Sequence, residues 1–401
     1  MARTVDVLVL TSLYPPHSYG GYETSCRDVV ERWRSRGHRV TVLTTATRAP
    51  GVADDPAERG VRRELSFYWD DHAIPRRTWR ERLAIERQNA TALARSLEDV
   101  RPDVVSAWAM GALSLGLLTT VVDRGFPLVL VVGDDWLSYG QRTDRWRAPF
   151  VGRPRLARAA TRLTGLPTRF PPSECVTAAY VSDFVAGEAQ WASWRPATSC
   201  VVSPGVDHED FPVAGEAPDR LWRWRLLYVG RLDPRKGLDV AVDALARLPE
   251  ARLDVVGSGD GAYAARLWQR AAARQAADRL TMHGGRPRRE LARVYDDADV
   301  ALFPVVWDEP FGIVPLEAMA RGTPVVATGT GGSASYLCDG ENCLLVPPGD
   351  DVALADAVQR LASDVGLRRR IVTGGLSTAR ARGADAYADR LEELHARSAR
   401  R

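Results

Sequence analysis

The residues best suited to chemistry lie in three glycine-bearing stretches. The first runs Gly230-Arg231-Leu-Asp-Pro-Arg-Lys236-Gly237, between an apolar β-rich run and a helical one. Arg231 and Lys236 place two cations in a loop at a strand's carboxyl end, where charge-assisted hydrogen bonds can hold a diphosphate. Lys236 is the one lysine among 54 basic residues. A chain that otherwise uses arginine throughout keeps a compact ammonium there, a group that a planar guanidinium does not replace. The second stretch is Glu309-Pro-Phe-Gly312-Ile-Val-Pro-Leu-Glu317. Pro315 is tolerated only in a helix's first turn, so a helix begins near Gly312. The N–H groups of Gly312, Ile313 and Val314 then lack intrahelical partners and make an anion site. Glu309 and Glu317 would repel an anion unless each met a hydroxyl, which a sugar and a ribose would supply. The third is Gly20-Gly21, where backbone without a side chain can approach a ligand closely. Gly257 in Gly257-Ser-Gly259 and the pair Gly331-Gly332 are similar strand-end glycines, each weak alone. A solvated loop, a capping carboxylate and a plain turn are the structural alternatives for the three.

Positioning them takes strands and helices in alternation. Val5–Thr11 and Arg39–Thr45 are β-rich apolar runs, and Glu23–Arg36 between them has helical spacing that stops at Gly37. Asp103–Ala107, Leu128–Val132, Val176–Ala179 and Cys200–Val202 continue the strands, with a helix over Gly111–Val122. The pattern restarts with strands at Arg225–Gly230, Arg252–Gly257, Leu280–His283, Val300–Pro304 and Pro324–Ala327. Helices at Leu238–Leu248, Ala262–Ala277, Arg288–Asp296 and Ile313–Arg321 separate them. The fold class is therefore α/β, with two doubly wound, Rossmann-like domains facing across a cleft. The break falls in the Pro-, Gly- and acid-rich stretch from Ser203-Pro-Gly-Val-Asp207 through Ala214–Asp219. The first domain takes residues 1–205 and the second 206–383, followed by a last helix over Ala384–Ala399. In such sheets ligands sit beyond the carboxyl ends of the strands, where all three stretches lie.

Composition narrows the function classes. The 401 residues are 45% hydrophobic and 26% charged, which fits a two-domain globular protein and excludes a disordered chain or a small disulfide scaffold. A net charge of +3, from 54 basic and 51 acidic residues, is too even to make nucleic acid the main partner. No run of about 18 apolar residues is present to span a membrane. Asp6 interrupts the first apolar stretch, which reads as a strand rather than a signal peptide, so a cytoplasmic protein is expected. The five cysteines are odd in number and mostly dispersed, as free thiols in a reducing compartment are. Cys338 and Cys343 have no nearby companion for a metal site, and packing is their expected role.

The order Gly-Arg-Leu-Asp-Pro-Arg-Lys-Gly, Val-Val-Gly-Ser-Gly, then Glu-Pro-Phe-Gly-Ile-Val-Pro-Leu-Glu-Ala-Met-Ala-Arg-Gly-Thr-Pro-Val-Val resembles the retaining nucleotide-sugar glycosyltransferases of family 4, which have a GT-B fold. The match is strong over residues 203–350 and looser over 60–175. The resemblance implies that Arg231 and Lys236 bind the donor diphosphate and that Gly312, Ile313 and Val314 give it backbone N–H groups. It implies that Glu317 holds the nucleotide ribose, Glu309 contacts the donor sugar and Gly21 lies under the pyrophosphate. Gly230, Gly257, Phe311 and Arg286 would line the donor site, with His283–Arg286 at the base. The final helix, 384–401, would cross back onto the first domain. The leaving nucleoside diphosphate gathers negative charge, which Arg231, Lys236 and the helix start would stabilise without a metal or other cofactor. With no obvious protein nucleophile, front-face attack assisted by the leaving phosphate is the expected route.

Two positions depart from the family. Gly133, after Leu128–Val132, stands where the family has a His that touches the donor sugar, which leaves the sugar open. Ser335 stands where a Glu often follows the Gly-Gly pair. Asp134 is a candidate to replace that contact or to act on the acceptor, and Asp135, Trp136, His17 and Tyr19 are candidate acceptor contacts; capping of the next turn competes for the two aspartates, and a structural role competes equally for His17. Trp136–Arg169 is rich in arginine and carries Trp136 and Trp146, a basic aromatic surface for anionic lipid or an anionic acceptor at the inner membrane face, or else a solvated insertion. Natural product, lipid and glycan acceptors all fit. Two other functions compete: a nucleotide-sugar epimerase of similar build, and a non-catalytic nucleotide-sugar sensor.

Overall fold

In a computed structural model of the chain, residues 4–49, 51–53, 55, 58–69, 74–216 and 221–400 are described. Met1–Arg3, Ala217–Asp219 of the expected junction and Arg401 lie outside them. The chain divides into two compact units: Met1–Ser203 with Tyr387–Arg401, and Pro204–Ala386.

Unit 1 contains β1 (Asp6–Leu10), α1 (Gly21–Ser35), β2 (Arg39–Thr45), β3 (Val61–Leu65), α2 (Trp79–Val100), β4 (Val104–Ala107), α3 (Gly116–Asp123), β5 (Leu128–Val132), α4 (Trp136–Thr143), α5 (Pro154–Thr164), β6 (Val176–Tyr180), α6 (Asp183–Trp191) and β7 (Thr198–Val201). The strands form one parallel sheet in the order β3-β2-β1-β4-β5-β6-β7. The reversal between β1 and β4 opens the sheet's switch point at the carboxyl ends of these strands. β1, β4 and β5 are buried nearly throughout, as strands covered by helices on both faces must be. β3 and α2 have no counterpart in the sequence-based expectation. β3 reads Val-Arg-Arg-Glu-Leu and only its last residue is buried, so hydrophobic alternation does not reveal it. The helix expected over Gly111–Val122 starts at Gly116, because 110–115 is a buried turn whose carbonyls and amides bind neighbouring loops.

Unit 2 contains β8 (Arg225–Val229), α7 (Leu238–Arg247), β9 (Arg252–Val256), α8 (Gly261–Ala273), β10 (Leu280–Met282), α9 (Arg288–Asp297), β11 (Val300–Phe303), α10 (Val314–Ala320), β12 (Val325–Ala327), β13 (Leu344–Leu345), α11 (Asp351–Ser363) and α12 (Val365–Ala381). Its parallel sheet runs β10-β9-β8-β11-β12-β13. The core joins Leu226, Tyr228 and Val255 of the strands to Leu238, Val242 and Leu245 of α7 and to Leu354, Val358 and Ile371 of α11 and α12.

The last helix, α13 (Ala384–Ser398), leaves unit 2 and from Tyr387 onward belongs to unit 1. There Tyr387, Ala388, Leu391 and Leu394 pack with Val29, Val30 and Trp33 of α1. Trp33 Nε1–H donates to the Ala388 carbonyl at 3.2 Å, and His395 Nε2 pairs with Ser106 Oγ at 2.8 Å. Arg36 meets Asp389 and Glu392 at the rim.

Candidate functional site

In unit 2 the residues of interest gather at the carboxyl ends of β8, β9 and β11. Gly230 follows β8, and a side chain at Gly257, after β9, would run into the Gly230 carbonyl. Backbone packing thus demands glycine at 257, while a Cβ at Gly230 would meet the Tyr228 hydroxyl at 3.2 Å. Beyond Gly230 the chain makes a short 3-10 turn over Pro234–Lys236, which Asp233 caps by accepting from Arg235 N–H. Gly237 then has φ +68° and sits against the Pro304 carbonyl, a position open only to glycine. This turn aims Lys236 at the loop after β11.

Lys236 Nζ donates to Glu309 Oε2 at 2.5 Å, and Trp307 Nε1–H donates to the same oxygen at 3.0 Å. Arg235 lies over the Trp307 ring at 4.5 Å. Glu309 itself is nearly buried. Its backbone carbonyl accepts from Gly332 N–H at 2.6 Å, which ties the glutamate to the Gly331-Gly332 turn. Arg231 is half-exposed, with Asp233 its acidic neighbour at 3.4 Å. Burial acts to raise the Asp233 carboxyl, but the Arg235 side chain and backbone N–H and the Arg231 charge outweigh it and hold it at about 2. Arg231 therefore keeps an ionised neighbour across the working pH range.

The helix expected from Gly312 begins at Val314, with Ile313 before it and Pro315 in the first turn. Gly312 has φ +81°, and the Tyr336 hydroxyl donates to its carbonyl. Phe311 is buried against Tyr336, ring centroids 5.2 Å apart, so its aromatic face is spent on packing. Glu317 is buried one turn in, where the Tyr295 hydroxyl donates to Oε2 at 2.9 Å and Arg288 Nε lies 3.9 Å from Oε1. Arg286 is half-exposed beside Glu290 at 3.8 Å, and His283 Nε2 pairs with Asp254 at 2.7 Å.

Unit 1 presents its own group after β5. A side chain at Gly133 would meet the Tyr22 ring 2.5 Å away, and Tyr22 O–H donates to the Val131 carbonyl. Tyr22 thus fills the space that a side chain at position 133 would take. Asp134 accepts from Trp136 N–H at 3.0 Å and from the Tyr139 hydroxyl at 3.0 Å. Burial pushes its carboxyl up to about 6, against those hydrogen bonds. Asp135 precedes α4 but makes no side-chain cap, so of the two aspartates Asp134 holds the turn. Gly21 opens α1, and a side chain there would meet nothing within 4 Å. No protein neighbour demands glycine at that position.

Three expected surface residues are not at the surface. His17 is fully buried, with Nδ1 accepting from Ala49 N–H at 3.3 Å, and packing is its role. Trp136 and Trp146 are fully buried as well, so the aromatic part of 136–169 is core. Tyr19 is half-buried, edge-on to Trp69 at 5.1 Å. Trp307, Tyr295, Tyr22 and Tyr139 were missed in the sequence. Trp307 could have been found, because it lies two residues before Glu309 in a strand-exit loop. Tyr295 of α9 reaches Glu317 of α10 only through helix packing, whereas Tyr139, within α4, meets Asp134 locally, five residues back. Among the described residues no group of three or more His, Cys, Asp or Glu gathers at metal-binding spacing, and all five cysteines are free thiols.

Comparison with known proteins agrees with this architecture. The model for Glycosyltransferase Family 4 matches residues 19–210, and that for Glycosyl transferases group 1 matches residues 220–377. The chain belongs to the glycosyltransferases of family 4. Among curated relatives of this transferase, the D-inositol 3-phosphate glycosyltransferase of Xylanimonas cellulosilytica is 38% identical over 216 residues, 50% of this chain and 52% of the relative. The phosphatidyl-myo-inositol mannosyltransferase of Mycobacterium leprae is 39% identical over 160 residues, 39% of this chain and 41% of that one. The chain thus spans about half the length of the curated relatives it matches. The sucrose-phosphate synthase of Thermosynechococcus elongatus aligns with a TM-score of 0.74 at 23% identity, over 98% of both chains. Anabaena HepE, crystallised with UDP and glucose, aligns at 0.69 and 20% identity over 97% of this chain and 99% of that one. These alignments establish the GT-B fold.

Proposed function

We propose that this glycosyltransferase moves a sugar from a nucleoside-diphosphate sugar to an acceptor hydroxyl with retention of anomeric configuration. The observation that carries the reading is the Lys236–Glu309–Trp307 cluster past the carboxyl ends of β8 and β11, with Arg231 on the same loop as Lys236. In this reading Lys236 and Arg231 take the diphosphate oxygens. The leaving phosphate gains negative charge as the anomeric C–O bond breaks, and fixed cations stabilise that charge more in the transition state than in the ground state. The N–H groups of Gly312, Ile313 and Val314 add to it. Glu309 accepts from a sugar hydroxyl, and Glu317, held by Tyr295, faces the ribose. Gly230, Gly257, Phe311 and Arg286 shape the donor site. The acceptor's proton passes to the departing phosphate. No cofactor or metal has a role in this route.

Unit 1 is the acceptor-binding unit in this reading. Asp134, with its raised pKa, is ionised at neutral pH and accepts a hydrogen bond from the acceptor hydroxyl or the sugar. In this reading Asp135 and Tyr19 also contact the acceptor, and Gly21 leaves room for an anionic group against the backbone. Natural product, lipid and glycan acceptors fit, with inositol 3-phosphate the first to test because curated relatives carry its name. An anionic membrane surface on the inner face is the partner this reading gives the segment 136–169.

The test is release of nucleoside diphosphate from UDP-, dTDP-, GDP- and ADP-sugars, with and without acceptor. Acceptor-dependent release with a product of unchanged anomeric configuration supports the proposal. An epimerised sugar formed without acceptor supports the epimerase instead. Tight donor binding with no release from any pair supports the sensor.

A further inference from the structure

We infer that the outward face of α5 is a docking surface for an anionic lipid bilayer. This deepens the membrane partner proposed above and stands apart from the transfer chemistry.

Between residues 136 and 169 the sequence has eight arginines and a single acid, Asp144. Asp144 is buried, its carboxylate accepting from the N–H groups of Leu115, Trp146 and Arg147. It is therefore closed to the surface arginines. Within α5, Arg155, Arg158 and Arg162 recur at three- and four-residue spacing and form one stripe along the helix. Leu156 and Leu163, seven residues apart, form the adjoining stripe, 49% and 86% exposed. Val151, just ahead of the helix, is 61% exposed. None of the three stripe arginines has an acidic partner among the described residues.

The opposite face is anchored. Ala157 and Ala160 pack on the buried cluster of Trp146, Phe150 and Leu166, and Trp79 stacks on Trp146 at 4.9 Å. Thr168 Oγ1 donates to the Ala157 carbonyl at 3.0 Å and pairs with Thr161 at 2.9 Å. The tryptophans thus form the platform beneath the helix rather than its contact surface. What faces outward is a fixed row of unpaired cations beside a row of exposed leucines. A soluble polyanion would meet the arginines alone. A bilayer meets both rows, phosphates against the cations and acyl chains against the leucines.

Cosedimentation of the full chain with vesicles tests this. Wild type should pellet with phosphatidylglycerol vesicles, stay soluble with phosphatidylcholine vesicles, and lose binding as salt rises. The triple variant Arg155→Gln, Arg158→Gln, Arg162→Gln should partition about a hundredfold less. Leu156→Ser with Leu163→Ser should lose about tenfold. All five side chains are exposed, so melting temperatures should match wild type and show that folding is intact. Failure of wild type to pellet at low salt, or triple-variant binding equal to wild type, overturns the inference. So does a leucine variant that binds as wild type does while both proteins bind dextran sulfate, which would assign the face to a soluble polyanion. Vesicle binding without nucleotide release from any donor would leave this inference standing and refute the transferase reading alone.

Discussion

Each unit carries a carboxylate at the end of a central strand, and the two are held in opposite ways. Glu309 of unit 2 has the Lys236 ammonium on it at 2.5 Å and the Trp307 indole at 3.0 Å. Asp134 of unit 1 has the neutral donors of Trp136 and Tyr139, and burial raises it to about 6. In the proposed reading the first arrangement stores a cation whose partner is exchanged for phosphate oxygens. The second stores a carboxylate that takes a hydrogen bond from an incoming hydroxyl. That reading equips unit 2 for charge and unit 1 for proton position.

The largest effect that could break this contrast is on Lys236. Lys236→Ala should lower the rate of nucleoside diphosphate release by about 10²–10³ at saturating donor, the cost of removing one fixed donor to a developing charge. Lys236→Arg should recover little of it, because the pocket is built around a single Nζ position. Rates within threefold of wild type would remove the cation from the mechanism. Glu309→Gln keeps the shape and deletes the charge. Turnover should fall about tenfold or more while the melting temperature holds, as read in parallel by initial rates and thermal denaturation.

Gly133 sharpens the comparison on the unit 1 side. Gly133→Ala should cost about 1–3 kcal/mol, because its methyl group meets the Tyr22 ring. Adding Tyr22→Ala should cost less than the sum of the two single changes, a coupling that urea denaturation of the four proteins measures. Strict additivity would contradict the account of why glycine stands there.

The smallest effect concerns pH. The folded pKa of Asp134 lies above its unfolded value, so the folded chain binds that proton more tightly. Stability is highest below about pH 4 and declines as pH rises to about 6, where the carboxyl ionises in a buried setting. Asp134→Asn should abolish that part of the slope and melt higher than wild type at pH 7. Its Nδ2 can donate to the Tyr139 oxygen, as the protonated acid would. Melting curves from pH 4 to 7 that run parallel for the two proteins would place the titration elsewhere. Glu86, raised to about 8 by burial and by Asp144, titrates in both proteins and cancels in the comparison.

Much of this was open to reading in unit 2. Glycines, a lone lysine and a proline fix local backbone, and the strands there are short and apolar. Lys236 and Glu309 were therefore singled out from their neighbours in sequence alone. Unit 1 yielded less because Tyr22 of α1 meets Gly133 across more than a hundred residues, by packing that no spacing rule records. Tyr139 against Asp134 is local, five residues apart at the start of α4, but no motif marks it. His17, Trp136 and Trp146 looked available for binding because polar and aromatic residues in loops often are. All three are buried, Trp146 behind α5 and His17 beside Ala49, which settles them as core. The helices α11 and α12 went unread since they pack chiefly on α7 and α10 and present no motif.

The central claim is that Lys236 and Arg231 hold a diphosphate. Calorimetric titration with UDP, dTDP, GDP and ADP beside their nucleosides tests it most directly. At least one diphosphate should bind about tenfold or more tightly than its nucleoside, and Lys236→Ala should erase the difference. Equal affinity for nucleoside and diphosphate, or an undiminished preference in Lys236→Ala, would contradict it.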